Sequence, residues 1–339
     1  MKAVRLLSWQ AEPELCDVDV PAPGPGEVLV KVEAAGLCHS DLHVMDWPEG
    51  TLRWELPVTL GHETAGTVAA LGAGALGVQE GDPVLVYGPW GCGVCRWCAR
   101  GAENLCPERT ACGLGSDGGL AEFVVVPSAR LLVPRGDLDA AQAAPLTDAA
   151  LTPYHALGPH LWRLVPGSDV VIIGVGGLGH VAVQLVRELS AARTVAIDPR
   201  ESARRVATEA GAGVALDSRD LTSADVRAHI ASSGAALVLD FVGSDETVSL
   251  AAALIEPGGH VSIVGSGATS FPLGIGNLPF EWSAGRPSWG TLPELHEVVA
   301  LAAAGRIEIE VEQFALEDTL EGYRRLRHGE VSGRAVVVQ

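Results

Sequence analysis

Four cysteines, Cys92, Cys95, Cys98 and Cys106, fall within 15 consecutive positions. The spacing C-x-x-C-x-x-C-x7-C sets four thiolates in one short loop, the donor set of a tetrahedral zinc site. Protein fills every position of such a site, so it has no room for a substrate and reads as structural. Two other segments mix metal ligands with acid–base groups. One is Cys38-His39-Ser40-Asp41-Leu42-His43 and the other Gly61-His62-Glu63. A metal site open to substrate needs three protein ligands. Cys38 and His62 supply two. The third is not evident from spacing: Asp41 or Glu63 could coordinate, or could orient an imidazole from behind.

A third chemistry comes from Gly174-Val175-Gly176-Gly177-Leu178-Gly179, which fits G-x-G-x-x-G. The fit is meaningful because an apolar run precedes it, a helical pattern follows, and Asp198 stands 19 residues after Gly179. In such a turn Gly174 permits the tight reversal, Gly176 admits a pyrophosphate, and Gly179 lets helix and strand pack closely. The helix N-terminus then faces the phosphates. Asp198 would accept hydrogen bonds from the adenosine ribose and repel a 2′-phosphate, with Arg200 close enough to assist. This predicts NAD(H).

The elements that must position these groups change character along the chain. Up to about residue 135 the pattern is short β segments between Gly and Pro: Glu27–Glu33, Thr64–Ala70, Pro83–Tyr87 and Ala121–Pro127. From residue 169 strands alternate with helices: a strand over Asp169–Ile173, a helix to about Leu189, a strand over Thr194–Ile197, and a helix over Glu201–Ala210. A strand over Ala236–Leu239 follows, then a helix over Ser244–Ile255 stopped by Pro257-Gly258-Gly259, then a strand over His260–Val264. That alternation predicts a doubly wound parallel sheet. Helices near Leu292–Ala304 and Leu316–His328 and a strand over Arg334–Val338 close the chain. The expected class is α/β, with a mostly-β domain first.

The chain has 339 residues, enough for about two domains. Acids outnumber bases, 42 to 23, giving a net charge of −19. That disfavours non-specific nucleic-acid binding and docking on anionic membranes. The most apolar stretch, Val170–Val186, carries four glycines and is short for a membrane span. Met1-Lys2-Ala3-Val4 leads into a mixed segment, so a cytoplasmic protein is expected. Cys16 and Cys112 read as free thiols. His155, His160, His180, His229, His260, His296 and His328 show no paired-ligand pattern.

Taken in order, GLCHSDLH (Gly36–His43), LGHETAGTV (Leu60–Val68), the four-cysteine loop, PLTDAALTPYHA (Pro145–Ala156) and GVGGLG (Gly174–Gly179) resemble the zinc-dependent medium-chain alcohol dehydrogenases. Within that family the chain is most similar to bacterial secondary-alcohol dehydrogenases. The resemblance implies a GroES-like catalytic domain over 1–149 with its structural zinc loop at 92–106. It further implies a Rossmann NAD-binding domain over 150–285 and a segment, 286–339, that returns to the catalytic domain. Cys38, His62 and Asp148 become the catalytic zinc ligands. Asp41 becomes the carboxylate behind the ligating histidine, and Glu63 an acid that can approach the metal. Ser40 takes the alcohol proton and His43 ends the relay. His39, Thr152, Val264 and Arg334 join the glycine loop as cofactor contacts, with His39 and Arg334 at the pyrophosphate. Trp47, Trp54, Leu114 and Trp289 line the substrate pocket. The short segment between Cys106 and Phe123 suggests a homotetramer.

The implied reaction is hydride transfer between a primary or secondary alcohol and NAD, with two zinc ions per chain and a small-molecule substrate. Polyol, amino-alcohol or glutathione-adduct oxidation would use the same fold. Few charged residues stand among the pocket candidates, which weighs against these. A non-catalytic zinc-stabilised nucleotide-binding protein would have no need of Cys38, His62 and Asp148 together.

Overall fold

The computed structural model describes residues 1–51, 54–267, 270–271 and 278–339. The chain divides into two compact units. One joins Met1–Leu151 to Trp289–Gln339, and the other is Thr152–Ser288.

The first unit is built on a seven-stranded sheet. Its central strand, Val28–Gly36, pairs antiparallel with Glu63–Leu71 on one side and with the last strand, Arg334–Val338, on the other. Phe123–Val126 also pairs with it. Val28–Gly36 alternates little because both faces are covered, and seven of its nine residues are buried. The register matters for chemistry. Gly36 lies opposite both Glu63 and Val336, so the chain leaving the sheet at Leu37-Cys38 emerges beside His62, Glu63 and Arg334. Only glycine fits at position 36, because a Cβ there would come within 1.8 Å of Glu63 Oε2.

A short helix, His39–Asp46, follows at once. Cys38 is its N-cap, and the Asp41 carboxylate accepts the Cys38 backbone N–H, closing a capping box in which cysteine takes the usual serine or threonine position. This helix is not legible in the sequence, since a cysteine cap carries little propensity signal.

The second unit carries six parallel strands in the spatial order Val214–Leu216, Arg193–Ile197, Asp169–Ile173, Ala235–Asp240, Ile255–Ile263, Ser283–Gly285. In chain order that is 3-2-1-4-5-6, the dinucleotide-binding arrangement. Val171, Ile173, Val195, Val238 and Val261 fill its core. One expectation needs correction. Pro257-Gly258-Gly259 does not separate a helix from a strand at His260. The helix ends at Leu254 and the strand begins at Ile255. The register jumps from Ala235 opposite Ile255 to Leu237 opposite His260, so those residues form a bulge, which accommodates the proline. The closing segment also holds a strand, Val311–Ala315, that the sequence reading did not assign. Among the described residues no helix is long and apolar enough to cross a membrane.

Candidate active site

Three side chains from distant positions meet in the first unit. Cys38 Sγ, one His62 ring nitrogen and a carboxylate oxygen of Asp148 lie within 4.8 Å of one another, and all three residues are buried. Cys38 Sγ is 3.9 Å from Asp148 Oδ2, and His62 Nε2 is 3.7 Å from the same oxygen. Cys38 arrives at the end of the central strand and His62 just before Glu63–Leu71. Asp148 caps a 3-10 turn, Ala144–Thr147. The third ligand, open from spacing alone, is thus Asp148, 110 residues from Cys38.

The surroundings fix how these donors point. Asp41 Oδ1 sits 3.0 Å from His62 Nδ1. A carboxylate can only accept, so Nδ1 carries a proton toward Asp41 and Nε2 is the nitrogen turned toward Cys38 and Asp148. Burial works against the His62 imidazolium, but Asp41, Asp148 and Cys38 outweigh it and hold its pKa well above the usual histidine value. A metal must therefore displace a proton to bind. Asp41 does not reach the trio as a ligand. Its other oxygen accepts from the Cys38 N–H and from the Tyr323 hydroxyl, each at 3.0 Å.

Glu63 stands on the opposite side. Arg334 donates to it through two nitrogens, Nε to Oε2 at 2.9 Å and Nη2 to Oε1 at 2.6 Å, and the Ala149 N–H donates to Oε1 at 3.0 Å. Burial pushes the Glu63 carboxyl up, Arg334 pulls it back and Asp148 adds to the rise, leaving it at about 7. The structure seats Arg334 inside this unit, 3% exposed and 3.7 Å from Asp148 Oδ2.

A thiolate, an imidazole nitrogen and a carboxylate converging on one point, with the imidazole's second nitrogen anchored, fit a tetrahedral zinc with one position left for substrate. Cys38 and Asp148 as anions balance the ion's two charges.

Of the remaining acid–base and pocket candidates, Ser40 and Trp289 are placed directly against members of this trio. Ser40 Oγ is 3.6 Å from Cys38 Sγ on the first turn of the capped helix, and half-buried. His43 follows one turn later, on the same helix face, and stacks on Trp47 with ring centres 6.2 Å apart. His39 is exposed. Trp289 meets His62 edge-on, at 5.8 Å and 88°. Its backbone is left-handed, φ 51°, and its buried indole N–H has no hydrogen-bond partner. Both are costs that persist where surrounding structure imposes them. The imposing contacts are Gly88, whose missing side chain leaves room for the indole, and the Tyr87 hydroxyl, which donates to Gly290 O at 2.6 Å. Trp54 packs against Trp9 and Gly115, next to Leu114.

The four-cysteine loop holds the other cluster, with all four Sγ atoms within 4.8 Å. Cys95 and Cys98 are 3.6 Å apart, and the Cys92 N–H donates to Cys106 Sγ. Backbone N–H groups of the loop, Cys98's first, draw the Cys95 thiol down to about 7, toward the thiolate a metal needs. Buried Glu103, paired with Arg130, anchors the loop. Sequence reasoning missed it, since the cysteines mask an ordinary acidic residue.

In the second unit the glycine loop joins Asp169–Ile173 to the helix Gly179–Leu189. A Cβ on Gly179 would strike Gly174 O at 2.0 Å. Asp198, at the end of the next strand, is 3% exposed and accepts the Val175 N–H at 2.9 Å, so it stands beside the loop. Arg200 pairs with it, backbone N and side-chain Nε both reaching Oδ1. That ion pair offsets part of the negative charge expected to exclude a 2′-phosphate. Thr152 is buried in this unit, and the Val264 N–H donates to Asp240 O at 2.8 Å.

A parallel dinucleotide-binding sheet in one unit, with a three-ligand metal centre and a four-cysteine cluster in the other, defines a zinc-dependent dehydrogenase. Residues 24–137 match the family of alcohol dehydrogenase GroES-like domains, and residues 177–304 match the zinc-binding dehydrogenases. The chain is 34% identical, over the whole of both chains, to an NAD-dependent alcohol dehydrogenase of Sulfurisphaera tokodaii. It superposes on the alcohol dehydrogenase of Aeropyrum pernix with a TM-score of 0.94 at 35% identity, covering all of both chains. On the acetophenone reductase of Geotrichum candidum in complex with NAD the TM-score is 0.88 at 35% identity, covering 100% of this chain and 97% of that one. The chain belongs to the zinc-dependent medium-chain alcohol dehydrogenases. It is an NAD-dependent oxidoreductase, with a structural zinc site at the four cysteines and a catalytic zinc site at Cys38, His62 and Asp148.

Proposed function

We propose that this enzyme interconverts secondary alcohols and ketones with NAD(H), and that its preferred substrates are apolar. The observation that carries the reading is the Trp289 indole standing edge-on to ligand His62, an apolar wall beside the metal. Trp47, Trp54 and Leu114 extend the apolar lining. The likeness to a reductase named for acetophenone, an apolar ketone, supports the same reading.

Zinc, when bound, supplies Lewis acidity that polarises the substrate oxygen, and the nicotinamide carries the hydride. The chain's residues do the rest. Cys38 and Asp148 supply the anionic ligands, and Asp41 keeps His62 in the tautomer that presents Nε2. Ser40 Oγ accepts the alcohol proton in oxidation and passes it outward, which a hydroxyl can do because it both gives and accepts a hydrogen bond. Its own pKa is too high to serve as a resident base, so the His43 imidazole, which can both take and give a proton, ends the relay. Glu63 is held by Arg334 and the Ala149 N–H, poised to approach the metal during ligand exchange. His39 and Arg334 are assigned to the cofactor pyrophosphate, Thr152 to the nicotinamide side, and Val264 to the cofactor cleft. Gly174–Gly179 cradles the phosphates, and Asp198 with Arg200 holds the ribose.

In this reading residues 1–149 and 286–339 form the catalytic part and 150–285 the cofactor domain. The enzyme works in the cytoplasm as a homotetramer.

The test is a panel of apolar ketones, primary and secondary alcohols, polyols and amino alcohols, each assayed with both cofactors. The expected result is highest kcat/KM for apolar secondary alcohols and ketones with NAD(H). Preference for a polyol or amino alcohol would overturn the substrate assignment.

A further inference from the structure

The segment that returns from the second unit contributes a group behind the metal that the reaction itself does not require. Tyr323 lies on the helix Thr319–Arg327 and is 1% exposed. Its hydroxyl donates to Asp41 Oδ2 at 3.0 Å, inside a core where Asp41 is fully buried and His62 nearly so. Asp41 is thereby held from three directions. Oδ1 takes the His62 Nδ1–H, and Oδ2 takes both the Cys38 backbone N–H and the Tyr323 hydroxyl. One carboxylate thus links two metal ligands, and Tyr323 is the only side chain among those three donors that belongs to neither ligand.

The alternatives at this position are poor. A buried carboxylate oxygen short of one donor is costly, the more so when it is charged. Without the tyrosine hydroxyl, Asp41 could rotate to share the Cys38 N–H differently, and the imidazole would follow it. A ligand whose orientation wanders binds metal less tightly, and loss of such outer partners typically weakens affinity about 10- to 100-fold. The same helix is fastened to the Cys38-capped helix a second time, at the surface, where Arg327 pairs with Asp46 through two nitrogens at 2.7 and 3.0 Å. The two attachments separate cleanly: one is buried and touches the ligand support, the other is exposed and does not.

We propose that Tyr323 is a positioning residue for the catalytic metal, acting through Asp41 to fix His62, and that the C-terminal segment is in this way part of the metal-retention machinery. The inference rests on the reading of Cys38, His62 and Asp148 as a zinc site.

The test uses the full-length zinc-loaded enzyme and follows zinc release to a chromophoric chelator, where the four-cysteine zinc serves as an internal reference. Tyr323→Phe removes one oxygen. It should weaken zinc at the Cys38 site about 10-fold or more and leave the four-cysteine zinc unchanged. After cobalt replacement at the catalytic site, its visible absorption should shift relative to that of the parent. Arg327→Gln should release zinc as the parent does, even if it melts lower. In an Asp41→Asn background, Tyr323→Phe should add nothing further, since it acts through that carboxylate. If Tyr323→Phe folds poorly, Asp41→Asn takes its place: it removes the carboxylate through which the hydroxyl acts and should release the Cys38-site zinc faster, and parent-like release from it would overturn the inference. Parent-like zinc release from Tyr323→Phe would overturn the inference. Equal acceleration by Tyr323→Phe and Arg327→Gln would also overturn it, showing only loosened packing. If the parent enzyme itself retains zinc at the four cysteines alone, it is the metal-site reading that fails.

Discussion

Ser40 and Asp198 carry the sharpest consequences at the residue scale. Ser40 stands within 3.6 Å of ligand sulfur, with His43 one turn along the same helix. Ser40→Ala should cut alcohol oxidation by about 10²–10⁴-fold, the range expected for lost acid–base assistance. Zinc content and NADH affinity should stay near those of the parent. His43→Ala should be milder, because water can replace the outer end of a relay. The pH–rate profiles of all three proteins check this, and a parent-like profile for Ser40→Ala would remove the relay. Asp198 raises a different question, because Arg200 already neutralises part of its charge. Asp198→Ser should do two things at once: remove the ribose acceptor and release Arg200 toward a 2′-phosphate. One charge-assisted hydrogen bond contributes about 1.5–3 kcal/mol, so the NADP-to-NAD ratio of kcat/KM should rise about tenfold or more. An unchanged ratio would show that Asp198 does not select the cofactor. These residues were legible in the sequence because each stands at a fixed spacing from a motif, Ser40 two residues beyond Cys38 and Asp198 nineteen beyond Gly179. Asp148 and Tyr323 were not marked by spacing. They reach Cys38 and Asp41 across 110 and 282 positions, and only sheet register and helix docking bring them there.

At the scale of elements, the parallel strands and their helices were legible because buried runs and glycine stops are local signals. Asp169–Ile173 and Glu201–Ala210 have the same bounds in sequence and structure. The bulge at Pro257–Gly259 was not legible, since proline and glycine read as an end to structure unless a partner strand absorbs the irregularity. Its strand leads to a pH-sensitive feature. His260 stacks on His160 with ring centres 3.9 Å apart, and Ser283 Oγ lies 2.7 Å from its Nδ1. Burial pushes both imidazoles down to about 4, with Arg163 adding to the effect on each and His160 to that on His260. Both are therefore neutral in the folded chain, while an unfolded histidine takes a proton near 6.5. The unfolded state binds more protons between those values, so stability is complete above about 6.5 and falls as pH drops toward 4. Thermal melting of the zinc-loaded enzyme should show that slope, and His160→Gln should flatten it. A melting temperature independent of pH across that window would contradict the assignment.

For the whole molecule, the two kinds of chemistry were written in different ways. The four-cysteine cluster and the glycine loop are contiguous, so their spacing alone carries the chemistry. The catalytic centre is assembled by topology: a central strand that ends at Cys38, a neighbouring strand led by His62 and Glu63, a turn bearing Asp148, and a closing segment that returns Tyr323 and Arg334 beneath them. The central claim is that Cys38, His62 and Asp148 hold the zinc on which NAD-dependent oxidation depends, and that the four cysteines hold a separate, structural ion. The direct measurement is zinc content together with NAD-linked alcohol oxidation in Cys38→Ala. Cys38→Ala should fold, keep the four-cysteine zinc, lose the other, and have almost no turnover. A Cys38→Ala enzyme with both zinc ions and parent-like turnover would contradict it.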